Sequence, residues 1–225
     1  MRSVLTWSHI AALIVSVLGG LAIAGQALAF SGDDTVIRLA SFGGRCENCD
    51  LTQRHLTGAR FVGAHFAGAT LTGSDLRGAE FTGSDFTGAN FSRVDARGAL
   101  MTGARFMLAN FSDSALAGLM ANGINMMNAD LSRTDLSCAE LQGANLARVR
   151  AGNANFSNAD LTGTTLAEGL FTDADFKNAK LVGALLHGAD MSHARNLTQR
   201  QLLTTCSDAK TRLPPGLTAR ICSGH

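Results

Sequence analysis

The amino-acid sequence predicts an all-β solenoid, a chain that turns a corner every five residues and stacks its coils along one axis. Three observations predict it. The large apolar residues keep one register of five from Leu51 to Met191, and those 29 positions hold 13 Leu, 10 Phe, 3 Met and 3 Ala. The positions two residues earlier, 49 to 189, hold 17 Ala, with Ser, Thr and Val making up most of the rest. Glycine recurs at the same interval at Gly58, Gly63, Gly68, Gly73, Gly78, Gly83 and Gly88. A period of five matches neither a helix face (about 3.6 residues) nor a strand face (about 2). A heptad supercoil fails as well, because glycine is poor inside helices. A chain that turns a corner every five residues satisfies all three patterns. Four such sides close a coil of about 20 residues, with the large and the small residue of each unit pointing inward. The other three face water, and glycine suits the corner because it tolerates positive φ.

An internal check supports two inward positions per unit. The undersized central residues Ala96, Ala121 and Ala151 follow Val94, Leu119 and Val149, which are large for the small-residue site. Volume is exchanged between the two sites, as in one close-packed core. Each buried Leu or Phe contributes about 1.5–3 kcal/mol, so the stack needs no cofactor to hold it.

Units such as Ala79-Glu80-Phe81-Thr82-Gly83 and Ser84-Asp85-Phe86-Thr87-Gly88 resemble the pentapeptide-repeat family, whose consensus is roughly Ala-(Asp/Asn)-Leu-x-x. The resemblance covers residues 49 to 193 and implies a right-handed quadrilateral β-helix of about seven coils. At the spacing of paired strands the stack is roughly 34 Å long.

The flanks define the remaining segments. Residues 1–29 read as a signal peptide: Arg2, an apolar run from Ile10 to about Gly25, then the cleavage pattern Ala27-Leu28-Ala29. An uncleaved anchor is the alternative reading of the same run. Residues 30–48, with Val36, Ile37 and Leu39, are expected to cap the N-terminal end. After Met191 the register breaks, since Leu197 arrives one residue late. Thr198 and Gln201 form a capping-box pattern that opens a short C-terminal capping helix carrying Leu202 and Leu203. Residues 194–225 are therefore expected to cover the other end of the 49–193 solenoid. Cys206 and Cys222 enclose a loop suited to a disulfide, which would contribute about 3 kcal/mol. Cys46 and Cys49 sit at the entrance and, in register, point into the first layer. Paired cysteines fit a periplasmic or secreted protein. A structural role for the Cys-x-x-Cys is favoured, because a redox-active pair would call for a βαβ context and a zinc site would require both ends to meet. Cys138 falls on an exposed position, as a tolerated surface thiol or an intermolecular link.

A filled stack offers flat faces, whereas catalysis wants convergent polar groups in a concave site. His55 and His65 fall two sides apart, and His187 and His193 have no ligand-spaced acid or Cys. No nucleophile with a base, no phosphate loop and no metal or cofactor site is read here, and no enzyme activity is expected. Two surface features stand out. Asp75, Arg77, Asp95 and Arg97 fall on one side of adjacent coils as an alternating charge lattice, read as solvated stabilisation. Leu100, Met107, Leu108, Met120 and Met127 fall at outward positions on two neighbouring sides. They read as a partner or self-association surface, or as a seat for a folded-back terminal segment. Some members of the resembled family mimic B-form DNA and protect DNA gyrase, which requires a strongly acidic surface. Here residues 46–195 carry 12 basic and 15 acidic residues. Nucleic-acid binding lacks its basic stripe. The mature surface has no Trp or Tyr. The expected function is an exported, non-enzymatic structural or protein-interaction module of the cell envelope. A gyrase-protecting DNA mimic and a periplasmic thiol protein using Cys46 and Cys49 are the alternatives.

Overall fold

The structure, a computed structural model, describes residues 44–222. The expected signal peptide over 1–29 and the expected N-terminal cap up to residue 43 lie outside the described residues.

Every fifth residue from Asn48 to Gly188 has a positive φ, between 54° and 70°. These are the corners. At a typical one the carbonyl of Leu56 accepts the N–H of Ala59 at 2.9 Å across Thr57 and Gly58. A β-turn with a left-handed second central residue is a type II turn, and it favours Gly or Asn there. About half of the corner residues are Gly, and Asn and Asp supply half of the others. Val, Ile and Thr never occupy this position, although Thr is frequent one residue earlier. A branched Cβ is the worst fit to the left-handed region, so composition follows backbone geometry.

Between corners, each side joins the next coil by a single parallel bridge whose partners are 20 residues apart, from Arg45↔His65 through Asp175↔Arg195. The bonds run both ways: the N–H of Leu76 donates to Asp95 O at 2.7 Å, and that of Asp95 donates to Ser74 O at 3.1 Å. Five residues per side and 20 per coil give four sides.

The central residues and their small partners are buried together as one core, including the pairs Val94 with Ala96, Leu119 with Ala121 and Val149 with Ala151. Phenylalanines stack coil on coil. Phe61 lies on Phe81 with centroids 4.9 Å apart and planes 3° apart, and Phe86 lies on Phe106 at 5.4 Å and 11°. Rings on neighbouring sides meet edge to face, as Phe61 does with Phe66 at 5.5 Å and 88°. Offset stacks and T-shaped contacts are both favoured arrangements of the ring quadrupole. Hydroxyls at small sites donate to the backbone of the preceding coil, except that Ser84 donates to Phe81 O of its own coil at 2.6 Å. Ser74 donates to Leu51 O at 2.6 Å and accepts the N–H of Arg54 at 2.9 Å. Ser114, Thr134 and Thr164 donate in the same way to Phe91, Phe111 and Leu141. Gly169 takes the volume exchange to its limit: a Cβ there would stand 2.6 Å from the Phe171 ring and 3.1 Å from Leu166 O.

The outward Asp and Asn residues serve the corners. Oδ1 of Asp50, Asn90, Asn110, Asp130 and Asp160 each accepts the N–H two residues on, at 2.9–3.1 Å. This is the Asx-turn, and it explains the acidic and amide residues that precede the central position. Opposite charges also stack 20 residues apart, as Arg60 on Glu80, Arg148 on Glu168 and Lys180 on Asp160.

The 20-residue register ends beyond Arg195. Gln199–Leu202 make one helical turn (α1), Leu202 is fully buried, and the Gln201 Oε1 accepts the N–H of Thr198 at 2.8 Å. Bridges then resume with a longer interval, Leu185↔Cys206 and Asp190↔Arg212. Two short strands, β1 (Cys206–Ser207) and β2 (Arg220–Ile221), pair in parallel.

Two predictions test this packing. Gly169→Ala should destabilise the fold by about 1–3 kcal/mol, and Phe171→Leu in the same chain should recover part of that loss by chemical denaturation. Additive losses would contradict the contact. The second concerns Asp75, whose carboxyl is lowered to about 2, first by the hydrogen bonds from Arg77 and against the pull of its partial burial. Its folded value lies below its unfolded one, so its stabilisation is present above about pH 4 and is lost as pH falls toward about 2. Asp75→Asn keeps the turn acceptor and removes the charge. It should flatten the acid limb of the stability profile in urea titrations, at a cost under about 1 kcal/mol at neutral pH.

Candidate functional site

The charge lattice forms as the spacing predicts. Arg77 holds Asp75 bidentately, with Nε–Oδ1 at 2.8 Å and NH2–Oδ2 at 2.6 Å, and reaches Asp95 at 3.8 Å. Arg97 holds Asp95 in the same way. These carboxylates also cap their own corners. They are therefore saturated acceptors rather than free acids aimed at a ligand. His55 bridges to Asp75 on one side, while His65 bridges to Arg45 and Asp85 two sides away. Among the described residues no three His, Cys, Asp or Glu side chains converge as metal ligands would.

Cys46 and Cys49 pack against the first core layer with their Cα atoms 5.5 Å apart and their sulfurs joined. Cys206 and Cys222 have Cα atoms 5.3 Å apart and likewise adopt disulfide geometry. Cys138 stands exposed at a corner as a free thiol.

The five apolar surface residues divide between two sides. Leu100 and Met120 are bridge partners, with Glu80 before them and Glu140 after them in the same column. Met107 and Met127 lie on the next side, where the N–H of Leu108 donates to Met127 O at 3.0 Å. The turn at Thr102 and Gly103, followed by Arg105, separates the two groups along the chain. Leu108 and Met120 are exposed, at 61% and 37%; Leu100, Met107 and Met127 are half-buried. Stacking by 20 predicted the pairs. It did not predict that Met107 and Met127 are half-buried.

Leu108 is the residue that position alone undervalued. It is a large apolar side chain, mostly exposed, on a left-handed backbone with φ 60°. Each of those conditions is unfavourable for leucine, and no other large aliphatic residue occupies a corner from 48 to 188.

Known proteins share this architecture. A family pattern described as pentapeptide repeats matches in eight copies, over residues 45–83, 65–103, 74–113, 109–148, 139–169, 154–192 and 170–199. No curated protein matches the sequence. Among solved structures, a trypsin-treated form of QnrB1, a plasmid-mediated fluoroquinolone resistance protein, is 15% identical, covers 76% of this chain and 91% of its own, and has a TM-score of 0.45. HetL, involved in heterocyst differentiation regulation in the cyanobacterium Nostoc sp. strain PCC 7120, is 24% identical, with coverage of 81% and 89% and a TM-score of 0.39. Rfr23 from the cyanobacterium Cyanothece 51142 is 20% identical, with coverage of 64% and 90% and a TM-score of 0.43. With eight copies of the repeat pattern spanning more than half of its length, the chain belongs to the pentapeptide-repeat family, whose fold is the right-handed quadrilateral β-helix.

Proposed function

We propose that this protein is an exported, non-enzymatic scaffold of the cell envelope that binds another protein or a second copy of itself. The observation that carries the interaction reading is Leu108. A left-handed, exposed leucine lowers stability without any gain visible in the fold, and such local costs concentrate where a surface is used. Met107 and Met127 beside it supply a polarizable, adaptable surface, and Met120 with Leu100 extends apolar contact to the adjoining side. Export is supported by the signal-like segment 1–29 and by the two cysteine pairs with disulfide geometry. In this reading cleavage follows Ala29, residues 30–48 and 194–225 cap the solenoid, and the cysteines are structural. Paired cysteines partly buried against a core layer favour that role over a periplasmic thiol-exchange protein.

A DNA-mimicking, topoisomerase-protecting protein is the second reading, raised by the family resemblance. Its acidic surface is lacking here. The repeats come close to charge balance, and their acids are paired in columns with Arg and Lys. A neutral lattice of this kind does not present the phosphate-like potential of a duplex.

Leu108→Asn separates function from stability, because Asn tolerates the left-handed corner. The variant should be as stable as the parent or more stable by up to about 1 kcal/mol, while self-association or partner cross-linking in the envelope is lost. Unchanged association would remove the surface from the proposal. For export, intact mass of protein released by osmotic shock should begin at Phe30 and rise by about four mass units on reduction of two disulfides. A full-length cytoplasmic protein whose mass reduction leaves unchanged would contradict it.

A further inference from the structure

The side of the solenoid that leads into Met107 and Met127 is complementary to itself. Its outward column runs His65, Asp85, Arg105, Asn125, Asn145 and Thr165, each joined to the next by a parallel bridge. A two-fold axis can cross this face at right angles to the stack, between the coils of Arg105 and Asn125. It lays a second copy face to face and antiparallel, so that each column meets itself in reverse. Arg105 then faces Asn125 of the second copy, Asp85 faces Asn145, and His65 faces Thr165. Each pair can join a donor to an acceptor, and in none do like charges meet.

The next column outward obeys the same symmetry. Met107 faces Met127 of the second copy, and Thr87 faces Ala147, so an apolar centre is flanked by small residues. At the corner beyond, Leu108, 61% exposed, falls beside Met127 of the second copy and is covered. Arg148, held by Glu168 at 2.9 Å, falls over Gly88 of the second copy, where no atom lies within 4 Å of the place a Cβ would take. The operation does not suit every side. Applied to the adjoining one, which carries Leu100 and Met120, it sets Glu80 against Glu140, and like charges directly opposed repel.

We propose that the partner of this surface is a second copy of the chain, docked antiparallel through the side from His65 to Thr165. The inference rests on the Leu108 surface proposed above and names its occupant. An unrelated partner imposes no relation between residues equally far above and below one level of the stack, whereas a two-fold partner does. Two such faces pack as the layers of a sandwich, with about 10 Å between their backbones. The apolar centre and the polar pairs around it have the anatomy of a protein interface.

The test is sedimentation velocity of the protein expressed from its full sequence, with a pair of charge exchanges. Asn145→Asp sets a carboxylate against Asp85 of the second copy and keeps the acceptor that its own turn uses for the Ala147 N–H. It should weaken dimerisation at least about tenfold. Asp85→Asn keeps the acceptor for the Thr87 N–H. Added to Asn145→Asp, it sets Asn against Asp once more and should return dimerisation to the parent level, with melting temperatures unchanged throughout. In a Cys138→Ser background, mixed Thr87→Cys and Ala147→Cys chains should form a disulfide-linked dimer. Thr87→Cys alone should not, because its two copies lie about three strand spacings, ~14 Å, apart along the stack. A monomer at every concentration, association that Asn145→Asp leaves intact, a double exchange that fails to restore it, or cross-linking of Thr87→Cys alone would each overturn the antiparallel dimer. A monomer that cross-links to a different protein through Leu108 would overturn this inference and leave the Leu108 surface standing.

Discussion

The left-handed corner is the constraint on which this molecule depends. A positive φ at every fifth residue turns the chain four times per coil, and only then do the amides of one coil meet the carbonyls of the next. The corner also decides what its neighbours must be. Asp or Asn three residues before the next corner residue accepts an amide that the turn exposes, which is why the outward acids are numerous and chemically quiet. The large central residue can then point inward without competing with polar groups, and successive coils bring identical rings into register at about one strand spacing.

The period of five made the coil legible, because a strict register leaves few backbone solutions. Volume exchange at Val94–Ala96, Leu119–Ala121 and Val149–Ala151 was equally legible, since it needs only residue size. Other features depend on three-dimensional placement. The hydroxyls of Ser74 and Thr134 look like mere small residues until their partners 23 positions earlier are seen. Gly169 reads as another small residue, yet its space belongs to the Phe171 ring. Arg54 occupies a small-residue register position in the first coil, half-buried, and period alone gives no reason for it. The apolar surface residues and their place on two neighbouring sides were found by stacking, whereas the half-burial of Met107 and Met127 required side-chain positions.

Uniformity also explains where function can reside. A repeated unit whose polar atoms are committed to turns and neighbouring coils leaves little for chemistry, so exceptions to the repeat carry the information. Two exceptions matter here. Leu108 departs from what a corner prefers, and residues 196–203 depart from the coil path and leave the N–H groups of Asn178 and Leu181 with no acceptor among the described residues. Both are costs the fold could have avoided, by Asn at the corner or by one more regular side. We propose that Leu108 marks a surface at which a partner would restore what the isolated chain forgoes.

The most direct measurement is a substitution series at one open corner. Gly123 has φ 66° with no atom within 4 Å of the place a Cβ would take, so only backbone conformation distinguishes the substituents. Stability by chemical denaturation should then fall least for Gly123→Asn, further for Gly123→Ala, and most for Gly123→Val, with about 1–2 kcal/mol between the extremes. Equal stabilities across the series, or a valine variant as stable as the parent, would contradict the left-handed corner and the square coil built on it.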